Sequence, residues 1–326
     1  MQALLCSRLD DDLKGVALAN ITVPRPGPGE VAIEVRAAAL NFPDLLMTRG
    51  AYQHRPSVPF VMGMEGSGTV RELGAGVTGV QLGQAVCFAR KEGAIAQTAV
   101  VPVVGLRAMP KGFDWCQAAA YHVCALTAWV ALVVRGQLQA GELLLVHGAS
   151  GGTGAAAVQL GRHLGARVIA CGTSAAKLAP LRALGAEHVL VSGEGFREQV
   201  KALGGGRGAD VVFDPVGGDV FDESVRCIAP EGRLLVVGFA SGRIATLATN
   251  LALIKGFSVV GVRAGEYLRN HPDRAAGVLA EVARLPELGR FEPLIGARYA
   301  LADAMQALHT LAQRRVSGKV VVVMPG

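Results

Sequence analysis

Gly141-Glu-Leu-Leu-Leu-Val-His-Gly-Ala-Ser-Gly-Gly-Thr-Gly154, running into the helical stretch Ala155–His163, decides the fold. The apolar run Leu143–His147 reads as a buried strand, and the glycine-rich turn after it opens directly into a helix. Backbone N–H groups and the positive end of the helix dipole then face whatever lies beyond the turn, which suits the pyrophosphate of a dinucleotide. Ala149-x-Gly151-x-x-Gly154 stands in for GxGxxG, with alanine small enough for the first, tight position.

Reading outward, short apolar segments alternate with helical periods at Arg167–Cys171, His188–Val191, Ala209–Asp214, Arg233–Val237 and Ser258–Val262. Strands alternating with helices at this spacing predict βαβ crossovers and a doubly wound parallel sheet. The second strand ends at Gly172-Thr173-Ser174, with Lys177 soon after. An NAD enzyme usually places Asp or Glu there for the adenosine ribose 2′-OH. Here no carboxylate repels a 2′-phosphate, and two hydroxyls and an ammonium are available to hold one, so NADP is favoured over NAD. Pro180 predicts a kinked or late-starting helix.

The flanks read differently. From Met1 to about Phe113 alternating strand segments such as Val31–Arg36 are punctuated by Pro24, Pro26, Gly27, Pro28 and Gly29, which predicts an all-β barrel or sandwich. A helical stretch at Ala302–Gln313 and a strand at Lys319–Met324 close the chain. The uncharged stretch Trp115–Val134 is long enough to raise the membrane question, but Gln117, His122 and Thr127 interrupt it, and a buried core helix is the expectation.

Composition narrows the class. The 326 residues are 51% hydrophobic and 18% charged, a packed globular protein rather than a disordered one. Glycine, 43 of 326, is nearly twice the usual ~7%, as close backbone approaches require. The net charge of +6 comes from scattered Lys and Arg, not a basic run, which argues against nucleic acid. Six cysteines without a CxxC or a disulfide framework indicate a reducing, cytoplasmic setting, and Asp10, Asp11 and Asp12 speak against a signal segment.

The spacing of Gly141-Glu142, Leu145, Ala149-Ser150-Gly151-Gly152-x-Gly154, Gln159 and Arg162 resembles the signature of the zinc-independent, zeta-crystallin-like quinone oxidoreductases of the medium-chain dehydrogenase/reductase superfamily. The resemblance continues through Asn41-Phe-Pro-Asp44, Arg49-Gly50-x-Tyr52, Gly63-x-Glu65-x-x-Gly68-x-Val70, Leu126-Thr127-Ala128, Asp214-x-Val216-Gly217-Gly218, Gly238-Phe239-Ala240-Ser241-Gly242 and Gly318-Lys319-Val320. It implies an α/β protein of two domains. A GroES-like β-barrel catalytic domain is expected over 1–122 and 264–326, and a Rossmann NADP-binding domain over 123–263, with NADPH in the cleft between them.

It also implies site residues. Tyr52, Asn41 and Thr127 are the catalytic candidates. Cofactor contacts are expected from Asn41, Thr127, Ser150, Gly151, Gly152, Thr153, Gly154, Gly172, Thr173, Ser174, Lys177, Val216, Phe239, Ala240, Ser241, Val262, Arg263 and Lys319. Where alcohol dehydrogenases of the superfamily carry a zinc-binding Cys and Gly-His-Glu, this chain reads Asn41 and Gly63-Met64-Glu65, so no metal is expected. Without zinc to polarise an oxygen, the substrate must already accept hydride well, as quinones and α,β-unsaturated carbonyls do. An enoyl-thioester reductase and a non-catalytic, crystallin-like NADPH- or nucleic-acid-binding protein are the alternatives. Two departures stand out: Leu46 replaces a tyrosine common in relatives, and Val191-Ser192 replaces their Asn-Tyr near the adenosine phosphate. The apolar strand within Gly256–Val262 predicts a homodimer paired through the Rossmann sheet edges, with no membrane partner.

Overall fold

The computed structural model describes residues 1–193, 195–289 and 291–325. They form two compact units: Met1–Val123 with Glu292–Gly326, and Cys124–Phe291. The return to the first unit, expected at residue 264, thus falls at Glu292, because the helices at 264–270 and 272–287 pack within the second unit.

In the first unit the strands are β1 (Gln2–Cys6), β2 (Val16–Asn20), β3 (Glu30–Ala39), β4 (Phe60–Val61), β5 (Glu65–Leu73), β6 (Ala85–Ala89), β7 (Thr98–Pro102) and β8 (Leu106–Ala108). The helix α1 (Phe42–Thr48) follows β3, and α2 (Trp115–Trp129) follows β8. β-branched residues recur at every second position from Val31 to Val35 along β3, which pairs with both β5 and β7 and buries Val31, Ile33 and Val35. Those side chains meet Leu4, Met62, Phe88 and Ile95 in one core. The start of α2 lays Cys116, Ala119 and Ala120 against Ala37, Ala39 and Val321. The continuous helical stretch Trp115–Arg135 is long and apolar enough to cross a membrane, with a mean hydropathy of 1.6, yet most of it is buried in the protein, as a core helix is.

The second unit carries β9 (Leu143–Val146), α3 (Gly152–His163), β10 (Arg167–Gly172), α4 (Ala175–Leu178), β11 (His188–Val191), α5 (Phe196–Leu203), β12 (Ala209–Asp214), α6 (Gly218–Cys227), β13 (Ile228–Val236), α7 (Thr249–Lys255), β14 (Ser258–Gly261), α8 (Ala264–Asn270) and α9 (Pro272–Glu287). All its strand pairings are parallel, in the order β11-β10-β9-β12-β13-β14. That order is the doubly wound Rossmann arrangement, and it reverses direction between β9 and β12, where such sheets open a crevice at the carboxyl ends of the strands. Leu144, Leu145 and Phe213 are fully buried in the sheet. As Pro180 predicts, α4 lasts one turn and passes into a 3-10 turn, Ala179–Arg182. The strand β13 begins five residues earlier than its apolar text suggests, with an irregular register around Ala209 and Val211.

Back in the first unit, β15 (Ile295–Ala300), α10 (Ala304–Ala312) and β16 (Lys319–Val323) complete the larger sheet, with β16 antiparallel to β3.

Candidate functional site

The glycine-rich turn is built as its sequence requires. Gly148 has φ +56°, a conformation that favours glycine. At Gly154 a Cβ would lie 2.3 Å from the Gly148 carbonyl oxygen and 2.7 Å from the Ala149 Cα, so only glycine lets α3 start so close to the turn. The first helical hydrogen bond runs from the Ala155 amide to the Gly151 carbonyl. The amides of Gly152, Thr153 and Gly154 therefore belong to the first turn of a 12-residue helix, where N–H groups lack intrahelical acceptors. This is a cradle that suits a pyrophosphate: amides without helical acceptors at the positive end of a helix.

The neighbouring loops converge on the same edge of the sheet. The buried Asp214 carboxylate accepts from the amides of Val216 (2.8 Å) and Gly217 (2.9 Å) and so shapes the turn after β12, while burial pushes its pKa up. The Ala240 amide donates to the Pro215 carbonyl and the Ser241 amide to that of Val216, which ties the turn after β13 to the one after β12. Val262 follows by donating to the Val236 carbonyl. Ser150–Gly154, Val216, Phe239–Ser241 and Val262 thus lie along the carboxyl ends of β9, β12, β13 and β14, on one edge of the sheet. Gly172, Thr173 and Ser174 lie at the end of β10, with Lys177 half-buried in α4. Arg263 is exposed and forms an ion pair with Glu266 at 3.2 Å. Thr127 is half-buried in α2, whose residues from Cys124 onward belong to this unit.

In the first unit three residues distant in sequence form a buried polar cluster. Asn41 caps α1, Glu65 opens β5 and Lys319 opens β16; all three are buried. The Lys319 ammonium donates to Glu65 Oε1 (2.8 Å) and to Asn41 Oδ1 (2.6 Å). Asn41 Nδ2 in turn donates to Glu65 Oε1 (3.0 Å) and, at 3.4 Å, to the Ala39 carbonyl. The second carboxylate oxygen of Glu65 accepts from the Val123 amide at 2.9 Å. Both Asn41 donor hydrogens therefore have acceptors inside the network. Lys319, expected among the cofactor contacts, has its ammonium turned onto this network.

The missed member of the cluster is Asp44. Its carboxylate is fully buried and accepts from the amides of Asn41 (2.7 Å) and Gly63 (3.2 Å); burial pushes its pKa up to about 7, against the pull of those amides and of Lys319. The available signal was a carboxylate three residues into a short helix beside the apolar Leu45 and Met47, a place where solvent is scarce. Tyr52 is half-buried in the loop after α1 and packs on the core of this unit.

A tetrahedral zinc does not fit this donor set. Such a site takes three or four Cys, His or carboxylate ligands, whereas this cluster holds an amide, an ammonium and one carboxylate already paired with that ammonium. Among the described residues no group of three His, Cys, Asp or Glu side chains gathers into a metal-sized cluster.

Residues 27–140 match the alcohol dehydrogenase GroES-like domain family, and residues 152–284 the zinc-binding dehydrogenase family. The chain is 36% identical over 326 residues to the mouse protein named quinone oxidoreductase-like protein 2, covering 98% of this chain and 91% of that one. It is 38% identical over 299 residues to the spectinabilin polyketide synthase system protein NorB of Streptomyces orinoci, covering 91% of this chain but 13% of that much longer protein. The solved quinone oxidoreductase of Thermus thermophilus, described together with its NADPH complex, superposes with a TM-score of 0.85 at 34% identity, covering 99% of this chain and all of that one.

Proposed function

From the chain's membership of the quinone oxidoreductase-like group of the medium-chain dehydrogenase/reductases, we propose that it is an NADPH-dependent oxidoreductase that delivers hydride to a quinone or an α,β-unsaturated carbonyl without zinc. The observation that carries this reading is the pairing of a formed dinucleotide cradle at Gly148–Gly154 with a Lys319–Asn41–Glu65 lock in place of metal ligands. The cofactor, when bound, supplies the hydride to an electron-poor carbon.

The chain's own residues do the rest. Amides of Gly152–Gly154 hold the pyrophosphate. Thr173, Ser174 and Lys177 hold the 2′-phosphate, in a stretch without a carboxylate. Asn41 Oδ1, fixed by Lys319, accepts from a ribose hydroxyl. Tyr52 is the donor to negative charge developing on the substrate oxygen, and Thr127 positions the nicotinamide. The six cysteines are buried and none forms a disulfide among the described residues, which suits a reducing cytoplasm. The edge strand β14 exposes Val259, and α7 exposes Leu253 (83%) and Ile254 (74%), a covering surface for β14 of a second copy.

The test is NADPH consumption with 9,10-phenanthrenequinone, 1,4-benzoquinone, an acyclic enone and crotonyl-CoA side by side, before and after dialysis against a strong chelator. Turnover of a quinone or enone, unchanged by the chelator, is expected. Tight NADPH binding with no turnover of any acceptor would refute the reading. The likeness to a polyketide synthase segment favours an enoyl thioester as the second substrate class, and preferential turnover of crotonyl-CoA would select it.

A further inference from the structure

The first unit contains a second concave site that the reading above does not use. A cavity of about 670 Å³ opens between the loop His54–Val61, the end of β2 and the segment Arg90–Val100. Ile21, Pro24, Phe60 and Val61 give it an apolar wall, while His54, Arg55, Arg90 and Glu92 supply its charge. Its size is that of a small-molecule site, roughly 300–1,000 Å³.

The charges there do not balance. Glu92 is the one acidic side chain on the wall, and His54 takes it through a short Nε2 contact to Glu92 Oε2. Neither Arg55 nor Arg90 has a carboxylate within ion-pair distance among the described residues. Arg55 is exposed, but Arg90 is half-buried, its guanidinium packed over the backbone of Gly93 and donating to the Val100 carbonyl. Burial lowers the Arg90 pKa, while the fields of Glu92 and Glu30 support its charge. A guanidinium that is partly desolvated without a counter-ion is costly unless something completes it, and its fork of N–H donors matches the paired oxygens of a carboxylate or phosphate.

We propose that this cavity binds an anionic group, a carboxylate or phosphate carried on an apolar body, with Arg55 and Arg90 as its donors. His54 and Arg55 follow Tyr52 by two and three residues in one loop, which puts the proposed substrate donor and these cavity residues on one short segment of chain. The cavity thereby makes acidic tails a specificity determinant of the reduction, an extension that rests on the function proposed above.

Two readouts test it. The first compares an enone carrying a terminal carboxylate with its methyl ester on the NADPH-loaded protein; the acid is expected to have a KM at least tenfold lower at similar kcat. Arg55→Ala and Arg90→Gln should each bring the two KM values within threefold, and Glu92→Gln, which removes the competing carboxylate, should widen the gap. A merely structural role gives no such gain. Arg55→Ala alters an exposed side chain, so the test stands even if the Arg90 variant misfolds. The second titrates phenyl phosphate calorimetrically, without turnover. Binding that both arginine variants lose, with acid and ester turned over alike, assigns the cavity to a free anion. Equal KM values for acid and ester together with no phenyl phosphate binding would overturn the proposal. If the oxidoreductase reading fails instead, no enone or quinone consumes NADPH, yet phenyl phosphate still titrates the wild type and not the arginine variants.

Discussion

Replacing Lys319 by methionine puts the buried network to its sharpest test. The Lys319 and Glu65 side chains are 5% and 1% exposed and 2.8 Å apart, so the ammonium is the main compensation for a carboxylate that water does not reach. Methionine keeps the stem's apolar packing but removes one charge-assisted hydrogen bond from Glu65 and one from Asn41, each worth ~1.5–3 kcal/mol. The Asn41 and Val123 N–H groups remain on Glu65, yet they are dipoles facing a full charge. Breaking a buried pair from one side costs ~3–5 kcal/mol, which for a unit of this size corresponds to roughly 6–20 °C in melting temperature. Removing both charges at once, as Lys319→Met with Glu65→Leu, leaves no buried carboxylate to compensate. The double variant should therefore lose clearly less than the sum of the two single losses. Scanning calorimetry of the four proteins at pH 7.5 measures this. A loss below ~1 kcal/mol in Lys319→Met, or strictly additive losses, would show that the pair is hydrated in solution and that the locked Asn41 amide is not maintained by it.

Other expectations follow from the same geometry. Lys177→Ala should weaken NADPH binding by ~1.5–3 kcal/mol and leave NADH almost unchanged; calorimetric titration showing equal losses would refute the 2′-phosphate assignment. Tyr52→Phe should lower kcat/KM for an acyclic enone tenfold or more, and less for an ortho-quinone, with NADPH affinity unchanged; a loss below twofold for both makes Tyr52 a wall of the pocket. Asp44 keeps its proton in the folded chain up to about pH 7, while in the unfolded chain it releases it near 3.8. Its contribution therefore lowers stability as pH rises between those values and is level above them. Burial holds His147 near a pKa of about 3 and His122 near about 4, so the two act oppositely: stability falls as pH falls below 6.5. Denaturant melts of Asp44→Asn minus wild type at pH 4.5 and 8 isolate the carboxylate, and the variant's relative stability should improve at the higher pH. No change between the two would count against a protonated Asp44.

The second unit was the more legible because its text repeats one device. An apolar strand followed by a helix leaves a periodic trace, and β9 to β12 lie within a residue or two of where that trace puts them. The glycines of the first turn were legible for a different reason: a close backbone approach such as Gly154 on Gly148 admits no other residue. What periodicity could not give was the domain return. The helix α9 is amphipathic in the ordinary way, and nothing in such a pattern says which unit's core it will cover.

The first unit hid its chemistry in pairings between residues distant in sequence. Glu65 and Lys319 are 254 positions apart, and each taken singly reads as an ordinary charge at the start of a strand. A signal was present in their surroundings. Glu65 opens Glu65-Gly-Ser-Gly-Thr-Val70 and Lys319 opens an unbroken apolar run to Met324; strands made of such residues are buried, and a charge at their mouths must find a partner or be excluded. Two buried strands each carrying one charge of opposite sign imply each other. The same logic applied to Asn41 fixes its role more firmly than the motif did. An amide set between an ammonium and a carboxylate has its oxygen turned to the first and its nitrogen to the second, so the orientation of Asn41 is set by two residues that the motif alone did not connect to it. The proposed function gives donation to an oxyanion to Tyr52 and orientation of Asn41 to Lys319, so the tyrosine variant and the lysine variant test two halves of that one proposal.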